Sequence, residues 1–162
     1  MHITIFGITS DTENIYRFDK TDLEEDSYAD YHYDYWRDMD SDPADLASAI
    51  RSMLMCVPEH AAEVGKDDNG WYFCLDQETI DAFFHNVWEN FSKALAKLNT
   101  VTEEQMKGYY PPGLFDIKAA FSDEYDCVFY SWENGWQTIQ DFMRSAEPGT
   151  RYYICGAVDA HC

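Results

Sequence analysis

Residues 71–98 read WYFCLDQETIDAFFHNVWENFSKALAKL, and the hydrophobic period changes inside that stretch. Trp71-Tyr72-Phe73-Cys74-Leu75 is a short aromatic and apolar run behind the turn signal Asp67-Asp68-Asn69-Gly70. It predicts a strand. From Gln77 onward Ile80, Phe83, Phe84, Val87, Trp88, Phe91, Leu95 and Leu98 fall on one wide stripe, which predicts a helix ending near Leu98. Asp76 is placed to cap its start and Asn99 to close it, with Lys93 and Lys97 at the negative end of the helix dipole. A strand running straight into a long amphipathic helix calls for a sheet with a helical layer on it.

Working outward, residues 2–8 are rich in β-formers and predict a strand, and residues 15–18 a second short one. Pro43 to Val57 is helical in pattern, with Leu46, Ile50, Met53, Leu54 and Val57 on one face, Ser41 or Asp42 as cap and Pro58 as terminator. On the other side, Thr102-Glu103-Glu104-Gln105 is a capping box for a short helix, and Tyr110-Pro111-Pro112-Gly113 breaks the chain. Residues 125–131 are strand-like. Glu133-Asn134-Gly135 then turns into a helix carrying Trp136, Ile139, Phe142 and Met143. After Glu147-Pro148-Gly149, Arg151 to Val158 make a final strand. No βαβ phosphate loop is present. The expectation is an α+β fold over residues 1–162, a single compact domain with a small, mostly antiparallel sheet packed against two to four helices.

The balance of charge narrows function. The chain has 162 residues with 31 Asp and Glu against 11 Lys and Arg, a formal net charge of −20. Phosphate binding needs Lys and Arg, so direct nucleic-acid binding is not expected, and an anionic membrane surface is disfavoured for the same reason. Apolar residues at 46% and aromatics at 17% are ample for a core, so the charge does not signal disorder. Cys56, Cys74, Cys127, Cys155 and Cys162 are scattered, odd in number and without a CxxC pair, the usage expected of reduced thiols in a cytoplasmic protein. The N-terminus lacks the basic and long apolar regions of a signal peptide, and no apolar run is long enough to span a bilayer.

Residues 1–45 hold 13 acidic and 3 basic residues, a net of −10, so about a quarter of the chain carries half of the charge. Within the acidic, aromatic segment 19–45, Asp22, Asp26, Asp30, Asp34, Asp38 and Asp42 recur every fourth residue, with Glu24 and Glu25 beside them. On a helix four residues advance about 6 Å. On a strand at residues 28–35, Asp30, His32 and Asp34 would alternate with Tyr31, Tyr33 and Tyr35 at between about 6 and 7 Å along one face. Both spacings approach the phosphate interval, on the order of 6–7 Å along a nucleic-acid strand. Aspartate is a poor residue inside helices and tyrosine favours strands, whereas the longer period fits a helix, so both conformations stay open.

Other sites are weaker. Asp38-Met39-Asp40-Ser41-Asp42 starts like a calcium loop, but Pro43 stands where glycine is required and Ala49 where the bidentate glutamate belongs. Asp81, His85 and Glu89 lie at four-residue intervals on the polar face of the 77–98 helix, a spacing open to metal ligation or acid–base chemistry and equally ordinary for a solvated face. Nucleophile elbows, Walker loops, HExxH and paired CxxC motifs are absent, so no catalytic residue, metal site or cofactor is assigned. Trp132, Trp136, Tyr109 and Tyr110 flank turns and read as core or rim packing, although aromatics also mark interface anchors.

In charge, size and lack of catalytic motifs the chain resembles the small acidic DNA-mimic inhibitors of phages and mobile elements, among them anti-restriction and anti-CRISPR proteins. The likeness is one of composition. It implies a non-enzymatic inhibitor in the host cytoplasm whose partner is a basic, nucleic-acid-binding protein. The aspartate ladder would supply the charges, and Tyr33 and Trp36 would support or anchor the contact. Alternatives are a small enzyme or metal-binding protein built on Asp81, His85 and Glu89, an acidic adaptor or immunity-type protein with another basic partner, or acidity kept only for solubility.

Overall fold

The computed structural model of the chain describes residues 2–24, 34–39, 62–107, 113–121 and 128–161. These build one sheet of seven strands: β1 His2–Thr9, β2 Tyr35–Asp38, β3 Ala62–Asp67, β4 Gly70–Leu75, β5 Val128–Ser131, β6 Gly135–Gln137 and β7 Arg151–His161. The helices are α1 Gln77–Leu98, α2 Glu103–Met106, α3 Leu114–Phe121 and α4 Ile139–Ser145, with a 3-10 turn at Lys20–Asp22. Strand order is β3-β4-β7-β1-β5-β6. β1 and β5 run parallel, and the other pairings are antiparallel. The mixed α+β, mostly antiparallel architecture expected from the sequence is therefore present.

β7 is the spine. β1 pairs along one side of it, while β4 and β2 share the other, β4 opposite residues 151–153 and β2 opposite residues 158–161. Alternation along the strands makes two cores. Phe6, Phe73, Leu75, Phe129 and Ala157 point to one face, where Ile80 and Phe83 of α1 and Ile139, Phe142 and Met143 of α4 cover them. Ile3, Ile5, Tyr130, Val158 and Ala160 point to the other, under Phe18 and Leu23.

A β-bulge lets Phe18 lie on that second face. Gly7 pairs with Gly156 and Ile8 with Ile154, so Cys155 has no partner on β1, and its carbonyl accepts the Phe18 N–H instead at 3.2 Å. Both glycines are required by contact. A Cβ on Gly156 would overlap the Phe18 carbonyl oxygen, and one on Gly7 would overlap Cβ and Cγ of the same residue.

The start of α1 is as expected. The Asp76 carboxylate accepts the Thr79 N–H at 2.7 Å, and hydrogen bonds from the Thr79 side chain and then its backbone hold the pKa below the usual carboxylate range. A lowered pKa stabilises the fold at pH values above the ordinary carboxylate pKa and is lost as pH falls through the folded value. Asp76→Ala should therefore cost about 1 kcal/mol at neutral pH. The gap from wild type should close in acid, as pH falls through the lowered folded-state pKa, whereas Asp76→Asn keeps a cap that does not titrate. Urea midpoints at both pH values check this, and a gap of equal size in acid would contradict it.

Two expectations change. Residues 15–18 form no strand but the crossing that carries Tyr16 and Phe18 over the sheet. β3 and α3 were not anticipated. Trp136 belongs to β6, and α4 starts only after Thr138, whose side chain accepts the Asp141 N–H at 3.1 Å. The strand expected at 125–131 is described over Val128–Ser131. The expected helix at 43–57 lies outside the described residues.

Candidate functional site

The described part of the aspartate ladder has two conformations, a 3-10 turn at Asp22 and an extended run from Asp34 to Asp38. Asp34 directly precedes β2 and Asp38 ends it, and four extended residues cover about 13 Å. The pair thus spans roughly two phosphate steps, not one. Each described aspartate of the ladder is also held locally. Asp22 accepts the Asp19 N–H at 2.8 Å and completes a capping box on the 3-10 turn. Asp38 accepts the Lys20 N–H at 2.7 Å, tying β2 to that turn. Asp34 faces His161 Nδ1 at 2.8 Å, and this hydrogen bond is the main reason its pKa is lowered. Trp36 is half-buried against the second-face core, in register with Ala160. Glu24 is exposed just beyond Leu23. Glu25, Asp26, Asp30, Tyr33 and Asp42 lie outside the described residues.

The polar row of α1 is an exposed relay of side-chain contacts. Gln77 donates to Asp81 at 2.8 Å, His85 Nε2 lies 3.6 Å from Glu89 Oε1, and Lys93 reaches Glu89 Oε2 at 3.3 Å. His85 is 72% exposed and stands open to water. Among the described residues no three His, Cys, Asp or Glu side chains converge in a metal-binding set.

A cleft of about 210 Å³ opens elsewhere, beyond the carboxyl ends of β1 and β5, between the β5–β6 hairpin, α4 and the 147–150 loop. Ser10, Ser131, Asn134, Gln137, Ser145 and Glu147 line much of it. Several of these groups serve each other: Ser131 Oγ accepts the Asn134 N–H at 3.1 Å, and Gln137 donates to Ser145 Oγ at 3.0 Å. The lining holds no histidine, cysteine, lysine or arginine, and Glu147 is the carboxylate it contains.

At the β3–β4–β7 end, Arg151 stacks over Tyr72 at 4.4 Å from the ring centre and pairs with Asp67 at 3.0 Å, and Tyr153 donates to the same carboxylate at 3.0 Å. Burial acts to raise the Asp67 pKa, but these bonds together with the Asn69 N–H hold it below its usual value. Cys155 is half-buried, and desolvation pushes its thiol up to about 11, far from an activated nucleophile.

The two tryptophans of the β5–β6 hairpin separate. Trp136 packs against the second-face core, edge-on to Tyr130 at 5.5 Å. Trp132, on the turn, is 63% exposed, with Tyr16 and Tyr130 at 5.7 Å and 6.0 Å and steep interplanar angles of 64° and 75°. Sequence reasoning treated both alike as packing residues. The usable signal was position, since a tryptophan at a tight turn beside Glu133 has no neighbouring strand above it to bury its face.

No Asp or Glu among the described residues is buried. Arg37, Lys93, Lys97, Lys107, Arg144 and Arg151 each stand within ion-pair distance of a carboxylate, so these cations form no positive patch. No helix among the described residues is long and apolar enough to cross a membrane. No family model matches this chain, and no curated protein or solved structure is significantly similar to it.

Proposed function

We propose that this chain is an acidic binding protein that occupies the basic nucleic-acid groove of a defence or DNA-processing protein, in the manner of phage and mobile-element counter-defence inhibitors. One observation carries the proposal: a net charge of −20, with no described carboxylate buried and the described cations largely paired off. Such a surface repels itself and costs stability, and it draws a basic partner in fast and in a salt-sensitive way. The local bonds of Asp22, Asp34 and Asp38 fix those carboxylates in place, and pre-ordered charges lose less entropy on contact than mobile ones.

The immobilised protein should retain nucleic-acid-binding proteins from a cell lysate. Duplex DNA should release them at constant ionic strength, and retention should fall steeply between about 0.1 and about 0.5 M salt. Retention that salt abolishes and duplex DNA leaves unchanged would point to an adaptor with another basic partner and would remove the mimic. Asp26, Asp30 and Asp34 changed together to Asn should weaken retention more than neutral isosteres of Asp68, Glu78 and Glu103. Equal loss in both triple variants would mean that bulk charge acts and the ladder has no special part.

A further inference from the structure

We propose that Trp132 and the carboxylates around it form a seat for an arginine side chain of the partner, and that this seat anchors the interface. The inference rests on the reading of the chain as an acidic binder. It shifts the centre of recognition from the aspartate ladder to the β5–β6 turn.

The geometry is that of an open aromatic platform. Phe18 stacks on Tyr130 at 5.4 Å, Tyr130 meets Trp132 edge-on, and Trp132 meets Tyr16 edge-on. A ladder of rings thus runs from the buried second-face core to a solvent-exposed indole. The inner rings are rooted in the sheet and in the bulge that holds Phe18, so Trp132 is braced from behind and presents 63% of its surface outward. Rigid aromatic anchors of this kind lose little entropy on binding.

The chemistry around the platform selects a cation. Glu133 follows Trp132 on the turn and is exposed. Glu133 and Asp22 both lie close enough to Tyr16 to raise its pKa, after the larger effect of burial and that of Cys155. The nearby Arg17 is engaged by Asp19 at 3.6 Å. Tyr16 lies 5.7 Å from the indole, so these carboxylates and the exposed ring share one neighbourhood that favours a cation. Arginine suits this better than lysine, because its planar guanidinium stacks flat on an aromatic face while its fork of N–H donors reaches a carboxylate. Basic nucleic-acid grooves are rich in arginine, so the partner class matches.

The test uses the intact protein with two labelled probes, an oligo-arginine peptide and an oligo-lysine peptide of equal length, titrated at about 0.15 M salt. The arginine peptide should bind about fivefold more tightly. Trp132→Leu keeps apolar bulk and removes the aromatic face, so it should abolish that preference while the lysine peptide stays within about twofold of wild type. Circular dichroism of the variant confirms that it folds, and Trp132→Phe should retain part of the preference. A wild type that binds both peptides equally, or a folded Trp132→Leu that keeps the arginine preference, would overturn the arginine seat and leave the acidic-binder reading standing. Binding of neither peptide would overturn both.

Discussion

Replacing Phe73 by alanine is expected to lower the unfolding free energy by about 4 kcal/mol, the upper range for a single core truncation. Phe73 is fully buried on β4 and has three ring neighbours, Phe129 at 5.9 Å, Phe142 at 5.7 Å and Tyr152 at 5.6 Å. Those partners come from β5, α4 and β7, so the hole would lie where three separate elements meet. None can collapse into it without leaving its own contacts, and that keeps the cavity open and the cost high. A domain of this size has about 5–15 kcal/mol in total, so the variant would retain a small margin. Its melting temperature should fall by roughly 8–16 °C. Trp88→Ala is the matched control, because Trp88 is just as aromatic but 63% exposed on α1 and should change stability by no more than about 0.5 kcal/mol. Urea unfolding of both variants decides the matter. A Phe73→Ala cost near that of the control would mean that this cluster does not organise the fold.

The second large effect is expected at Gly156. Exchanging glycine for alanine usually stabilises by about 0.4–1 kcal/mol where the backbone allows it, since the unfolded chain becomes stiffer. Here the added methyl meets the carbonyl oxygen of Phe18, a backbone atom that no rotamer change can move away. The overlap, worth about 3 kcal/mol, should outweigh the gain, so Gly156→Ala is expected to be strongly destabilising. Gly65→Ala supplies the comparison. Its Cβ would come within 2.6 Å of the Tyr72 hydroxyl, the end of a side chain and not a backbone atom, so its cost should be smaller, about 1–2 kcal/mol. Calorimetric midpoints for the two variants should differ clearly. Equal midpoints would show that the Phe18 crossing shifts at no cost.

The parts of the fold that could be read from sequence are those where one residue pattern meets one environment. α1 was legible because its apolar stripe is long and both of its caps are local. β1 and β4 were legible as dense β-forming runs. β3 was not, since Ala62-Glu63-Val64-Gly65-Lys66-Asp67 pairs among the described strands with β4 alone and needs few apolar residues. Trp136 was placed on a helix because the Glu133–Gly135 turn resembles a helix entry. The partner that makes it a hairpin, β5, becomes evident only from pairing. The candidate site was legible in charge and not in geometry. The bonds holding Asp38 and Asp34 reach 18 and 127 residues along the chain, to Lys20 and His161. No local pattern encodes such distances.

The position of β7 has a consequence for how the protein is made. It is the last of the seven strands to leave the ribosome, yet β1, β2 and β4 all depend on it for their place in the sheet. A nascent chain stalled before Arg151 can close the β3–β4 hairpin and wind α1, because those contacts are local. Without β7, β1, β2 and β4 each keep an unpaired edge, the condition in which unfinished chains associate. During that wait the surplus of carboxylates keeps unfinished copies apart. The same charge that burdens the finished fold thus acts as its escort during synthesis.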